Sequence, residues 1–274
     1  MLIDAKASSP ATRPNDHIGL LVSVRDLNEW LAIRHLPIDV IDFKEPQLGP
    51  LAAASPSLWR SAAADPSCRS MLSAALGECR DAVEIAHQVP DRFAFAKAGP
   101  AGISTTDELA DAWRQLRALL HGATNLVAVA YADFQTAQCP SPLTIFRQAA
   151  ATGLRTWLLD TYEKVPGNDS LSRLGPQTLR SIASLAEHAS ATWVLAGSIS
   201  PAIAQSLTDL GIRPNLLGVR GSLCDGDRRN EIIPAKVEAW IDWLRADCTA
   251  QAAYPEQVDL SKPIAEVPAR LPSS

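Results

Sequence analysis

Lys44 ends the strand-like run Asp39-Val-Ile-Asp-Phe-Lys44, and Lys97 ends Phe93-Ala-Phe-Ala-Lys97. An ammonium beside apolar residues is costly to bury unless it is paired or put to use. A neutral lysine amine attacks carbonyl carbon, so two lysines aimed into one pocket point to Schiff-base chemistry. The structural alternative is that each lysine caps its strand and reaches water along its aliphatic stem. The elements that carry the lysines decide between these readings.

Eight short apolar segments read as strands: 19–24, 39–43, 72–77, 92–97, 126–132, 156–161, 192–197 and 216–221. Helical stretches alternate with them and begin with capping residues. Asp26 precedes one, and Thr105 to Asp107 opens a long amphipathic run. Ser55-Pro56, Ser141-Pro142 and Ser200-Pro201 each place a hydroxyl before a proline at the first helical position. Continuously apolar strands alternating with helices imply a parallel sheet covered on its outer face. Eight such units predict a single α/β domain, a (β/α)₈ TIM barrel. An open doubly wound sheet is the competitor, but no GxGxxG turn follows the first strand.

Barrels of this kind build their sites at the C-terminal ends of the strands. Those ends carry Ser23, Asp42 with Lys44, Lys97, Asp133, and Asp160 with Lys164 just beyond. Asp42 and Lys44 share parity, so both face one side of their strand while Ile41 and Phe43 face the helices. In the fourth strand Lys97 shares parity with Phe93 and Phe95, which leaves its direction open. A second ammonium near Lys44 would favour the neutral, nucleophilic amine. Asp42 or Asp160 would then move protons, or simply orient a lysine. After the last two strands come Gly197-Ser198 and Gly218-Val-Arg220-Gly221, where barrels often cradle phosphate on backbone N–H groups. Arg220 is expected to add a guanidinium clamp there. Ser23 and Asp133 complete the expected substrate-binding set.

Composition narrows the function classes. The chain has 274 residues, 47% of them hydrophobic, and a net charge of −5. An acidic chain without a basic face argues against nucleic acid as a partner. No apolar run reaches the ~20 residues of a membrane span, and no signal-peptide core opens the chain. The five cysteines, an odd number without a CxxC pair, fit free thiols and a cytoplasmic location. The five histidines form no metal-binding spacing, so neither a protein-held metal nor another cofactor is expected. The expected organisation is an irregular N-terminal tail at 1–16, a barrel domain at 17–248 and a proline-containing C-terminal tail at 249–274. The partner these features imply is a small phosphorylated carbonyl compound, and assembly as a homo-oligomer stays open.

Several segments taken in order resemble (5-formylfuran-3-yl)methyl phosphate synthases. They are Leu20-Leu-Val-Ser-Val24, Ile41-Asp-Phe-Lys-Glu-Pro46, Leu159-Asp-Thr-Tyr-Glu-Lys164, Leu195-Ala-Gly-Ser198 and Gly218-Val-Arg-Gly221. The resemblance spans about residues 18 to 245. It implies a barrel that condenses two glyceraldehyde 3-phosphate molecules into the furan precursor of methanofuran, losing one phosphate and two waters. It also implies Lys44 as the Schiff-base lysine, with Asp42, Lys97, Asp160 and Lys164 as catalytic neighbours. Glu45 stands where the family carries Asn, and Gly49-Pro-Leu-Ala52 where it carries Gly-Ser-Leu-Gly. Glu45 is therefore a charge expected to alter the Lys44 pKa. A lysine-dependent aldolase, a sugar-phosphate isomerase and a phosphometabolite-binding barrel are the alternatives.

Overall fold

A computed structural model describes residues 18–246. The expected tails at 1–16 and 249–274, and residues 17, 247 and 248 of the expected barrel domain, lie outside the described residues. Within them, β1 (Gly19–Val24), β2 (Val40–Phe43), β3 (Met71–Glu78), β4 (Phe93–Gly99), β5 (Asn125–Tyr131), β6 (Thr156–Asp160), β7 (Thr192–Leu195) and β8 (Leu216–Val219) form a closed barrel in sequence order. Every pairing is parallel, and β8 returns to β1. Helices α1 (Leu27–Ile33), α2 (Pro56–Ala64), α3 (Cys79–Ala82), α4 (Thr106–Leu119), α5 (Pro142–Ala151), α6 (Ser170–His188), α7 (Pro201–Asp209) and α8 (Pro234–Arg245) follow the strands in turn. The expected TIM barrel is the fold.

The helix starts follow local chemistry. Asp26, Ser55, Thr105 and Ser200 each accept a hydrogen bond from the amide three residues on, which satisfies a donor the helix leaves open. Ser141 differs: its hydroxyl pairs with Thr144 Oγ1 at 2.9 Å, and it makes no side-chain cap bond to the backbone. α6 is broken at Gly175, which adopts φ +70°, and Pro176 restarts it at a position where its missing N–H costs nothing.

Strand alternation sorts the core into two layers. Leu20, Val22, Ile41, Phe43, Leu72 and Ala74 face outward and pack under the helices. Leu21, Val40, Ala75, Val127, Val129, Leu158 and Val194 face inward and fill the barrel's lower half. That filling makes the floor solid and apolar, so charged inward groups gather at the C-terminal rim. Most outer-layer side chains lie within a few per cent of complete burial, and this packing fixes the frame on which the rim groups are held.

Candidate active site

Asp42 lies two residues above Val40 on the inward face of β2 and is fully buried. Side chains from three other strands satisfy it. Ser23 Oγ donates to Oδ2 at 3.1 Å, Ser73 Oγ to Oδ1 at 2.9 Å, and Lys97 Nζ forms an ion pair with Oδ2 at 2.9 Å.

Lys97 reaches Asp42 because β4 carries a bulge. Leu72 pairs with Phe93, but Ser73, the next residue, pairs with Phe95, so the register slips by one around Ala94. Phe93 accordingly packs in the outer layer, while Phe95 packs against the inner one and Lys97 follows it inward. Simple parity equates Phe93 with Lys97. The bulge separates them.

A second ionic group stands across the mouth. Asp160 ends β6, and Lys164 in the following loop donates to its Oδ1 and, at 3.0 Å, to Thr161 Oγ1. Thr161 N adds a bond to Asp160 Oδ1 at 2.8 Å. Burial opposes ionisation of Asp160, but the Lys164 and Lys44 ammonium groups outweigh it and hold the carboxyl at about 2. Burial lowers the pKa of Lys164, against the pull of Asp160. The loop that carries Lys164 is tied down by Asp133, which accepts from Tyr162 N at 2.6 Å, Glu163 N at 2.9 Å and Asn168 Nδ2 at 2.9 Å. Asp133 was expected to contact substrate. Its oxygens are instead committed to the loop backbone, and it lies outside the cavity lining.

Lys44 lies between the two ionic groups and is 6% exposed. Among the described residues its Nζ has no hydrogen-bond or ion-pair partner. Burial first, then the nearby charges of Lys164 and Lys97, push its pKa down from 10.5 to about 7, against the pull of Asp160 and Asp42. A substantial fraction of this amine is therefore neutral near pH 7, as a nucleophile must be. Glu45 turns away to accept from Gln47 N at 2.9 Å, and it is absent from the leading influences on Lys44.

Lys44, Lys97, Asp160 and Lys164 open into one cavity of about 860 Å³. Ser23, Gly197, Ser198, Gly218, Arg220 and Gly221 line it too, so most of the expected site converges. Gly197 has φ +89°, and a Cβ on it would fall 2.2 Å from Ser170 Oγ. Gly218 brings β8 close to β7, since its Cβ would sit 3.0 Å from that of Ala196. The amides of Gly197 and Ser198 donate to no group among the described residues, which leaves them free to meet an anion.

Arg220 lines the cavity without offering it a donor. Its guanidinium grips Glu29 of α1 through two bonds of 2.8 and 3.0 Å, and also bonds Ser23 O, Arg228 O and Asn230 O. All five N–H groups are engaged.

Two features escaped the sequence. Arg228, in the turn-rich loop Asp225-Gly-Asp-Arg-Arg-Asn230, enters the cavity lining. Glu78, at the end of β3, accepts from Tyr131 Oη at 2.7 Å and Ala101 N at 2.9 Å, and burial raises its pKa. Gly99 makes room for that pair, since a Cβ there would fall 2.2 Å from both Glu78 Oε2 and the Tyr131 hydroxyl. A charged turn after the eighth strand was the available signal for Arg228. Nothing local marked Glu78.

A family model described as 4-HFC-P synthase matches residues 20–241. The putative (5-formylfuran-3-yl)methyl phosphate synthase of Streptomyces griseus is 30% identical over 250 residues, covering 86% of this chain and 98% of that protein. The (5-formylfuran-3-yl)methyl phosphate synthase of Methanosarcina barkeri is 27% identical over 239 residues, covering 84% and 99%. Among solved structures, KGPDC from Streptococcus mutans matches with TM-score 0.56 at 11% identity, over 84% of this chain and 98% of that one. That likeness speaks to the fold alone.

Proposed function

The chain belongs to the 4-HFC-P synthase family, and from that premise we propose that it condenses two glyceraldehyde 3-phosphate molecules into (5-formylfuran-3-yl)methyl phosphate through an imine on Lys44. The observation that carries the reading is the state of Lys44: buried in the cavity, without a counterion among the described residues, and held at about 7.

The chemistry follows from the groups around it. Neutral Lys44 attacks a substrate carbonyl, and loss of water gives the imine. Iminium nitrogen acidifies the adjacent carbon, whose proton passes to a nearby base, with Asp160 best placed. The resulting enamine carbon attacks the aldehyde of the second triose and forms the new carbon–carbon bond. A further proton is then lost from the carbon next to the iminium, and the enamine so formed expels one phosphate, which leaves with the electron pair of its C–O bond. Ring closure and dehydration release the furan. Two trioses thus yield the furan phosphate, one inorganic phosphate and two waters, without a redox step.

Asp42 and Lys97 keep a fixed charged wall beside Lys44, and Lys164 returns protons to departing oxygens. The retained phosphate lies on the amides of Gly197, Ser198 and Gly221. Free thiols at Cys68, Cys79, Cys139 and Cys224 accord with work in a reducing cytoplasm.

The test is incubation with glyceraldehyde 3-phosphate, borohydride trapping and peptide mass spectrometry, with the untreated reaction followed by ultraviolet absorbance and product mass. A reduced adduct on Lys44 together with a furan aldehyde phosphate is the expected result. An adduct with an acyclic product would convert the assignment to a lysine-dependent aldolase. Neither adduct nor furan would sink it.

A further inference from the structure

Three successive carbonyls in the loop after β8 are held from below by two arginines. Arg220 Nε donates to Arg228 O at 2.8 Å and Arg220 Nη2 to Asn230 O at 3.3 Å, while Arg25 Nη1 donates to Arg229 O. Arg220 is in turn fixed by Glu29, and the two side chains are 3% and 2% exposed. Glu29 also accepts from Arg25 N at 2.9 Å. A buried ion pair adds little net stability over apolar packing of the same volume. Its value here lies in geometry, since it dictates the path of residues 228–230.

That path carries the Arg228 side chain into the cavity beside Gly221, whose Cβ position is 3.6 Å from that of Arg228. The Arg228 guanidinium makes one hydrogen bond among the described residues, a long 3.4 Å one from Nη1 to Pro46 O. Its remaining donors are unengaged, unlike those of Arg220. Six cationic side chains, Arg228, Lys44, Lys97 and Lys164 among them, line the same cavity against three carboxylates, Asp160, Asp169 and Asp227, while Asp42 lies buried below. A cavity with this cationic excess is arranged for an anion.

We propose that Arg228 is the guanidinium that receives the substrate's phosphate, alongside the glycine turns, and that Glu29 and Arg220 are positioning residues that hold its loop. The inference rests on the phosphorylated-substrate reading of the cavity. A planar guanidinium with free donors takes a phosphomonoester bidentately, which a lysine in its place would not reproduce.

The probe is glycerol 3-phosphate, a phosphomonoester without a carbonyl and so unable to form an imine. Calorimetric titration into the full chain should show binding that Arg228→Gln weakens by about 10- to 100-fold, the scale of a charge-assisted pair. Arg228→Lys should recover part of the loss. Glu29→Gln should weaken binding as well, and should add nothing on top of Arg228→Gln, because it acts through that residue. In the furan assay, Arg228→Gln should raise KM for glyceraldehyde 3-phosphate more than it lowers kcat.

Equal binding by wild type and Arg228→Gln would overturn the assignment, as would a wild type that ignores glycerol 3-phosphate. Arg228 lies on a loop, so its variant decides the matter even where Glu29→Gln does not fold. Binding through Arg228 by a wild type that makes no furan would overturn the synthase reading alone. Furan formation with an unchanged KM in Arg228→Gln would overturn this inference alone.

Discussion

Two ionic pairs flank Lys44, and they are built differently. On the β2–β4 side, Asp42 and Lys97 are both strand residues, both buried, and tied to Ser23 and Ser73 on the neighbouring strands. On the β6 side, Asp160 is a strand residue but its partner Lys164 sits in a loop, held in place by Asp133. The first pair is a fixed part of the barrel wall. The second sits where a loop adjustment reaches it, next to the glycine turns and Arg228. Both lysines carry counterions, while the Lys44 amine between them has none among the described residues. Burial is the largest cause of the lowered Lys44 pKa, and the charges of Lys164 and Lys97 add to it.

The largest expected effect comes from removing that amine. Lys44→Met should lower furan formation by about 10⁴-fold or more, the scale of a lost covalent nucleophile. It should also stabilise the fold. The folded pKa lies below the usual 10.5, so the unfolded chain binds the extra proton between about pH 7 and 10.5, and wild-type stability rises with pH across that window. Below pH 7 the cost of the buried ammonium is complete, and Lys44→Met should gain on the order of 2 kcal/mol or more in urea melts there. A borohydride adduct on Lys97 in place of Lys44 would break the comparison outright.

The two aspartates should then separate. Asp160→Asn is expected to lower kcat by about 10²- to 10⁴-fold while the protein stays folded, as for a lost general base. Asp42→Asn leaves Lys97 buried without its counterion, which costs about 3–5 kcal/mol of stability. Denaturant melts and kcat measured on both variants check this. Matching losses of stability would erase the distinction between wall and reactive side.

A smaller effect is expected from pH. Single-turnover imine formation should rise about tenfold per unit up to pH 7 and then level off, because the neutral amine is the reactant. A limb centred near pH 10 would mean that Lys44 keeps an ordinary pKa. Smallest of all, Glu45→Gln should change imine formation by less than about twofold, since its carboxylate is turned to the Gln47 amide.

What the sequence disclosed follows the same divide. β2 is regular, so period-two reasoning put Asp42 and Lys44 on the inward face and Ile41 and Phe43 outside, as the two packed layers have them. β4 was opaque because a one-residue slip at Ala94 depends on pairing with β3, which no local pattern records. Arg220 was read as a clamp from its place in a glycine turn. Its donors meet Glu29, 191 residues away in sequence, and three carbonyls, partners that only the tertiary structure reveals. Asp133 poses the same difficulty: an aspartate at a strand end looks the same whether it meets substrate or, as here, loop amides. Arg228 sits in a turn without periodicity, where only the closed fold shows which way a side chain points.

The apolar plug of Leu21, Val40, Val127, Val129, Leu158 and Val194 has a consequence for traffic. With the lower end of the barrel filled among the described residues, whatever enters the cavity also leaves by the C-terminal mouth. Arrivals and departures must therefore take turns. In the proposed reaction, a phosphate ion that lingers on the glycine turns would bar the next triose from the same place, so the order of release would enter the rate law.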